Sequence, residues 1–126
     1  MILQHVALTC SSEENADKFY GTLLGLKKLA SKTLPSSLSK AIFNVDSDLT
    51  MVNYMNESVH FEIFVYGCHQ SNNSRIDHVC LEVNDLEELL QRCRSLNVKF
   101  MQVPKGESMI TFVRDDDGNL FEMKQT

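Results

Sequence analysis

The chain has no run of about 18 apolar residues, so nothing in it is built to cross a bilayer as a helix. It also lacks an excess of basic charge. Twelve Lys and Arg stand against 17 Asp and Glu, a net charge of −5, which argues against nucleic acid or an anionic membrane as the main partner. No basic segment followed by an apolar one opens the sequence, so no secretory signal is expected and a cytoplasmic location is. None of the four cysteines, Cys10, Cys68, Cys80 and Cys93, forms a CxxC pair. A chain of this size does not need disulfides to fold, so they read as thiols in a reducing compartment. Cys68-His69 is the one adjacent Cys/His pair, and a loop at a strand end accounts for it better than a thiolate ligand or nucleophile.

What is present is ordinary in amount and unusual in arrangement. With 126 residues, 43% of them hydrophobic, the chain is expected to form one domain with a real core. A short pattern occurs twice. The first copy is Ile2-Leu3-Gln4-His5-Val6-Ala7-Leu8, and the second is Arg75-Ile76-Asp77-His78-Val79-Cys80-Leu81. The two histidines are 73 residues apart. A second pair closes the halves, His60-Phe61-Glu62-Ile63 and Leu120-Phe121-Glu122-Met123. Each half therefore opens on a strand carrying His and ends on a strand carrying Glu. Such self-similarity is the mark of a duplicated supersecondary unit.

The elements between these landmarks repeat as well. Ile2 to Thr9 reads as a buried strand. Ser11 with Glu14 fits a capping box, and a helix runs to about Leu24 with Ala16, Phe19, Tyr20, Leu23 and Leu24 on its inner stripe. Gly25 suits the residue after the helix. Leu26 to Thr33 reads as a strand. Pro35-Ser36-Ser37 interrupts the chain, and Leu38 to Asn44 suits one or two helical turns. Leu49 to Met55 and Val59 to Tyr66 form a hairpin, with His60, Glu62 and Phe64 on one face. Gly67 to Ser74 is the candidate linker.

The second half follows the same order. A strand spans Ile76 to Val83. Asn84 or Asp85 caps a helix whose Leu86, Leu89, Leu90, Cys93 and Leu96 face inward, and Asn97 ends it. Val98 to Val103 and Met109 to Val113 are strands around a Pro104-Lys105-Gly106 turn. Asp115-Asp116-Asp117-Gly118-Asn119 is a turn, since the later oxygen ligands of a calcium loop are missing. Leu120 to Lys124 is the last strand. The opening strands align at an offset of 73 and the closing ones at 60, so the first half holds 13 extra residues, which Pro35 to Asp48 supplies. The expected fold is α+β: two tandem βαβββ modules, about 1–67 and 75–126, whose mixed sheet curves around a cavity with the helices outside.

On these residues the chain resembles the vicinal oxygen chelate superfamily, that of glyoxalase, bleomycin-resistance proteins and extradiol dioxygenases. The resemblance spans nearly the whole chain. It rests on the His5 strand, on Phe19-Tyr20-Gly21-Thr22-Leu23-Leu24-Gly25-Leu26, on Ile76-Asp77-His78-Val79, and on Arg114-Asp115-Asp116-Asp117-Gly118-Asn119-Leu120-Phe121-Glu122. Asp116 stands where the family has Pro. The family's metal positions fall on His5, Glu62, His78 and Glu122, and this His/Glu/His/Glu set is similar to that of glyoxalase I.

The resemblance implies one divalent ion, with Zn, Ni, Co, Mn and Fe all compatible with two imidazoles and two carboxylates. It implies a small-molecule substrate that chelates through neighbouring oxygens, Glu62 or Glu122 as the proton-transferring base, and a homodimer. It leaves open other reactions on the same fold (epimerisation, thiol transfer to an antibiotic, dioxygenation) and a non-catalytic binding protein.

Single histidines and strand glutamates are more often structural than ligating. Four at duplicated positions on apolar strands are not, because burying an unpaired carboxylate is costly. Other polar residues carry weaker signals. His60 shares the Glu62 face, and Glu82 shares the His78 face. His69 reads as a loop residue. Arg75 and Arg114 are candidates for attracting an anion, with ordinary surface roles more common.

Overall fold

A computed structural model describes residues 2–67 and 77–126. The candidate linker and the residues Cys68, His69, Arg75 and Ile76 lie at least partly outside the described residues. The chain divides into two compact units, Met1–His69 and Gln70–Thr126.

In the first unit, β1 (Val6–Cys10) is followed by α1 (Glu13–Ala16), which runs on into a wider helical segment, Asp17–Leu23. Its last turn closes with an i→i+5 bond, Leu24 N–H to the Phe19 carbonyl at 2.9 Å. Then come β2 (Lys27–Lys28), β3 (Lys32–Leu34), α2 (Ser36–Phe43), β4 (Leu49–Met55) and β5 (His60–Val65). The sheet order is β1-β5-β4-β2, with β3 also on β4. The second unit holds β6 (Val79–Val83), α3 (Leu86–Leu96), β7 (Lys99–Lys105), β8 (Ser108–Arg114) and β9 (Leu120–Gln125). Its order is β6-β9-β8-β7. In both units the opening strand lies parallel to the closing strand, and the other pairings are antiparallel. The architecture is α+β, with the same βαβββ plan in each module.

Strand alternation sorts each sheet into two faces. In the first unit Phe61 and Ile63 of β5 and Val52 and Tyr54 of β4 are buried, together with Ala16, Phe19, Tyr20 and Leu23 of the helix. The Phe61 ring sits 5.4 Å from that of Tyr20. In the second unit Val113, Phe121 and Met123 are buried, as are Leu89, Leu90 and Cys93 of α3. The residues between them, Glu62 and Glu122, therefore point to the other face. Burying one face of each sheet under a helix is what drives the modules to fold.

Tyr54 also ties helix to sheet. Its hydroxyl donates to Asp17 Oδ1 at 2.6 Å. Burial, and then that hydrogen bond, push the Tyr54 hydroxyl far above its usual range, so it stays protonated as the donor. Lys28 Nζ, 3.0 Å from Asp17 Oδ2, adds a charged partner on the exposed side.

Several local expectations shift. Ser12, not Ser11, caps the first helix, its side chain accepting from Asn15 N–H at 3.1 Å. Adjacent serines both suit the cap, and the Glu14 signal favoured the wrong one. Of the two candidates Asn84 and Asp85, Asp85 caps α3, accepting from Glu88 N–H at 2.9 Å. Gly25 and Asn97 end their helices at φ 69° and 56°, as their residue types predict.

The strand expected over Leu26 to Thr33 is divided. Lys28 pairs with Tyr54 and Lys32 with Met51, so four steps on one side match three on the other. That extra residue is a bulge, which breaks the ladder locally. Pro104 and Lys105 belong to β7 rather than to the turn, which is narrowed to Gly106-Glu107 between Lys105 and Ser108. Pro is tolerated there because β7 is an edge strand. Gly106, at φ 62°, supplies the positive torsion that a two-residue hairpin loop needs. The extra material of the first half forms α2, which the second unit lacks among its described residues. Among the described residues, no helix is long and apolar enough to cross a membrane.

Candidate metal centre

Two His–Glu pairs occupy the sheet faces opposite the helices. In the first unit His5 Nε2 lies 2.8 Å from Glu62 Oε2. In the second His78 Nε2 lies 3.3 Å from Glu122 Oε2. The side chains are alike in exposure, 46% and 18% for the first pair and 45% and 18% for the second. Parallel pairing of the opening and closing strands causes this. Ala7 stands beside Glu62, and Cys80 stands beside Glu122, so the His two residues earlier comes within reach of the carboxylate. The repeat in sequence is thus a repeat in geometry. Within neither unit do the described residues bring three or more His, Cys, Asp or Glu together as a metal-holding group.

The neighbours of the two pairs differ. Opposite Glu62 on β4 stands Asn53, and opposite Glu122 on β8 stands Phe112. Asn53 is 7% exposed, and its Oδ1 lies 2.7 Å from His60 Nε2. The His60 ring in turn lies 5.7 Å from that of His5. His60 is therefore close to the first pair. Asn53 carries no motif, but an Asn amid Met51-Val52-Asn53-Tyr54-Met55 is a polar group in an apolar strand, and such a group needs a partner.

Cys80, beside Glu122, has its thiol pushed up by burial and then by the Glu122 charge, which keeps it protonated and a poor nucleophile. Lys124 Nζ reaches Glu122 Oε1 at 3.7 Å. Glu82 stands beside Lys124 in the ladder. Arg114 Nη1 donates to the Gly118 carbonyl at 2.8 Å, a turn-closing role. In the same turn, Asp115 Oδ1 accepts from the N–H groups of Asp117 and Asn119 at 3.0 and 2.9 Å. This carboxylate serves the turn, as the sequence suggested. A cavity of about 300 Å³ lies at the start of α3, with Glu82, Asp85, Glu88 and Arg92 in its wall and none of the four His and Glu residues.

Each module is thus α+β in βαβββ order, with one His–Glu pair on the sheet face away from its helix. The profile of the Glyoxalase/Bleomycin resistance protein/Dioxygenase superfamily matches residues 2–123, and the chain belongs to that superfamily. Solved structures agree on the fold. A glyoxalase family protein from Enterococcus faecalis is 19% identical with a TM-score of 0.73, covering 97% of this chain and 95% of its own. The fosfomycin resistance protein FosX from Listeria monocytogenes, in a mutant form complexed with Mn(II) and 1S,2S-dihydroxypropylphosphonic acid, is 17% identical with a TM-score of 0.71, covering 98% of this chain and 90% of its own. The trypanothione-dependent glyoxalase I of Leishmania major is 22% identical with a TM-score of 0.72, covering 99% of this chain and 86% of its own. No curated protein sequence gives a significant match.

Proposed function

We propose that this protein is a metal-dependent lyase or isomerase of glyoxalase type, with one divalent ion held by His5, Glu62, His78 and Glu122. The observation that carries the reading is the doubled His–Glu pair. Two atoms bound to one ion at about 2.1 Å stand about 3.0 Å apart at a right angle and about 3.4 Å apart at the tetrahedral angle. The Nε2–Oε2 separations of 2.8 and 3.3 Å are of that size, which supports reading each pair as two ligands of one ion. Nitrogen and carboxylate oxygen donors suit Zn²⁺, Ni²⁺, Co²⁺, Mn²⁺ and Fe²⁺ alike. FosX, which shares this fold, is found complexed with Mn(II), and that supports a divalent ion here.

When bound, the ion supplies Lewis-acid stabilisation of negative charge that develops on a chelating substrate oxygen. The protein's own groups do the rest. His5 and His78 orient the site, and their Nε2 atoms face the glutamates. Glu62 or Glu122 takes a proton from the carbon next to that oxygen and returns it to its neighbour, as general base and then general acid. The glutamate side chains, at 18% exposure, are sheltered enough to hold this geometry and open enough to meet a ligand.

The test uses purified protein stripped with a chelator and reloaded with Ni²⁺, Zn²⁺ or Mn²⁺. The substrate is the hemithioacetal of an α-ketoaldehyde with glutathione or another small thiol. Metal-dependent isomerisation is expected with at least one of the ions. Protein that holds no metal, and stays inactive with all three, ends this reading.

We also propose that the two modules form a single domain and that the protein works as a homodimer in the cytoplasm. Sedimentation at micromolar concentration is expected to give twice the 14.4 kDa chain mass. A strictly monomeric mass refutes the dimer.

A further inference from the structure

The two His–Glu pairs match, but the groups beside them do not. In the second unit the ring set edge-on to His78 is Phe112, at 6.1 Å and 89°. In the first unit the ring set edge-on to His5 is His60, at 5.7 Å and 63°. The residue in the Phe112 position of the first unit is Asn53, and it holds His60 through the 2.7 Å contact with Nε2. The residue in the His60 position of the second unit is Leu120, two before the glutamate as His60 is. One pair is thus flanked by Asn and His and the other by Phe and Leu.

Asn53 is 7% exposed, so its oxygen cannot exchange His60 for water freely, and the ring is pinned. An amide oxygen only accepts, so His60 donates from Nε2. The other nitrogen of the neutral ring is then an acceptor. An acceptor is wasted on an aliphatic group and satisfied by a hydroxyl.

On the metal reading given above, we propose that His60, pinned by Asn53, is a specificity-determining residue that accepts a hydrogen bond from a substrate hydroxyl next to the chelating oxygens. Phe112 and Leu120 offer an apolar wall beside the other pair. The ligand so selected is a hydroxylated chelator rather than a bare one.

The experiment compares two probes on Co²⁺-loaded protein in mildly alkaline buffer. Acetohydroxamate and glycolohydroxamate carry the same chelating group, and only the second has an added hydroxyl. Affinities are read by calorimetry and by the Co²⁺ visible spectrum. Wild-type protein is expected to prefer glycolohydroxamate about fivefold, the usual net effect of one hydrogen bond. His60→Leu installs the second unit's residue, and His60→Phe keeps a ring against His5. Both are expected to bring the ratio to about one while Co²⁺ affinity and acetohydroxamate binding hold. His60→Gln, which keeps an acceptor, is expected to retain part of the preference. A ratio of one in wild-type protein, or a preference unchanged in both His60→Leu and His60→Phe, overturns the proposal and leaves the metal reading standing. Failure of wild-type protein to bind Co²⁺ overturns both.

Discussion

Replacing any one of His5, Glu62, His78 or Glu122 by Ala is expected to weaken divalent-metal binding by at least about a hundredfold. Loss of a partner one shell further out already costs about 10–100-fold, so a direct ligand should cost no less. The fold is expected to survive all four changes. Glu62 sits between Phe61 and Ile63, and Glu122 between Phe121 and Met123; it is those neighbours that fill the core. His5 and His78 are about half exposed. Site and core thus use opposite faces of the same strands, and one can be cut without the other. Titration calorimetry with Zn²⁺ or Mn²⁺, beside a far-ultraviolet circular dichroism spectrum, reads both quantities. Full metal occupancy in the four variants would show that the ligands lie elsewhere.

Much of this was legible in the sequence because it depends on short-range order. Strand alternation places Glu62 and Phe61 on opposite faces whatever else the chain does. The 73-residue repeat marks His5 and His78 as equivalent, and their Glu partners follow from the module plan. Details that need a partner strand were not legible. The bulge between Lys28 and Lys32 exists only relative to β4, and no local signal announces it. Pro104 reads as a turn until its place on an edge strand is known. The bond from His60 to Asn53 crosses a hairpin, and which residue faces which is set by register, not composition. Ser11 and Ser12 show the limit at its smallest. Two equal caps in a row leave the choice to the packing of the helix behind them.

Phe61→Ala and Phe121→Ala are each expected to cost about 3–5 kcal/mol of stability, the usual effect of emptying a buried aromatic site. Phe61 is 1% exposed and Phe121 is fully buried at 0%. They occupy equivalent places, each one residue before the candidate ligand glutamate, so the two losses should be similar. A small protein holds only about 5–15 kcal/mol in all, and either change takes a large share. In urea, with a slope near 1–3 kcal/mol per molar, the midpoint should fall by about 2 M. The pattern of the loss is as informative as its size. A module of about 60 residues buries a smaller fraction of its surface than the whole chain would and is marginal alone. If the modules form one domain, each variant should unfold in a single transition, and amides of both modules should lose protection together. Two transitions, with Phe121→Ala moving one and Phe61→Ala the other, would mean the halves fold as independent units.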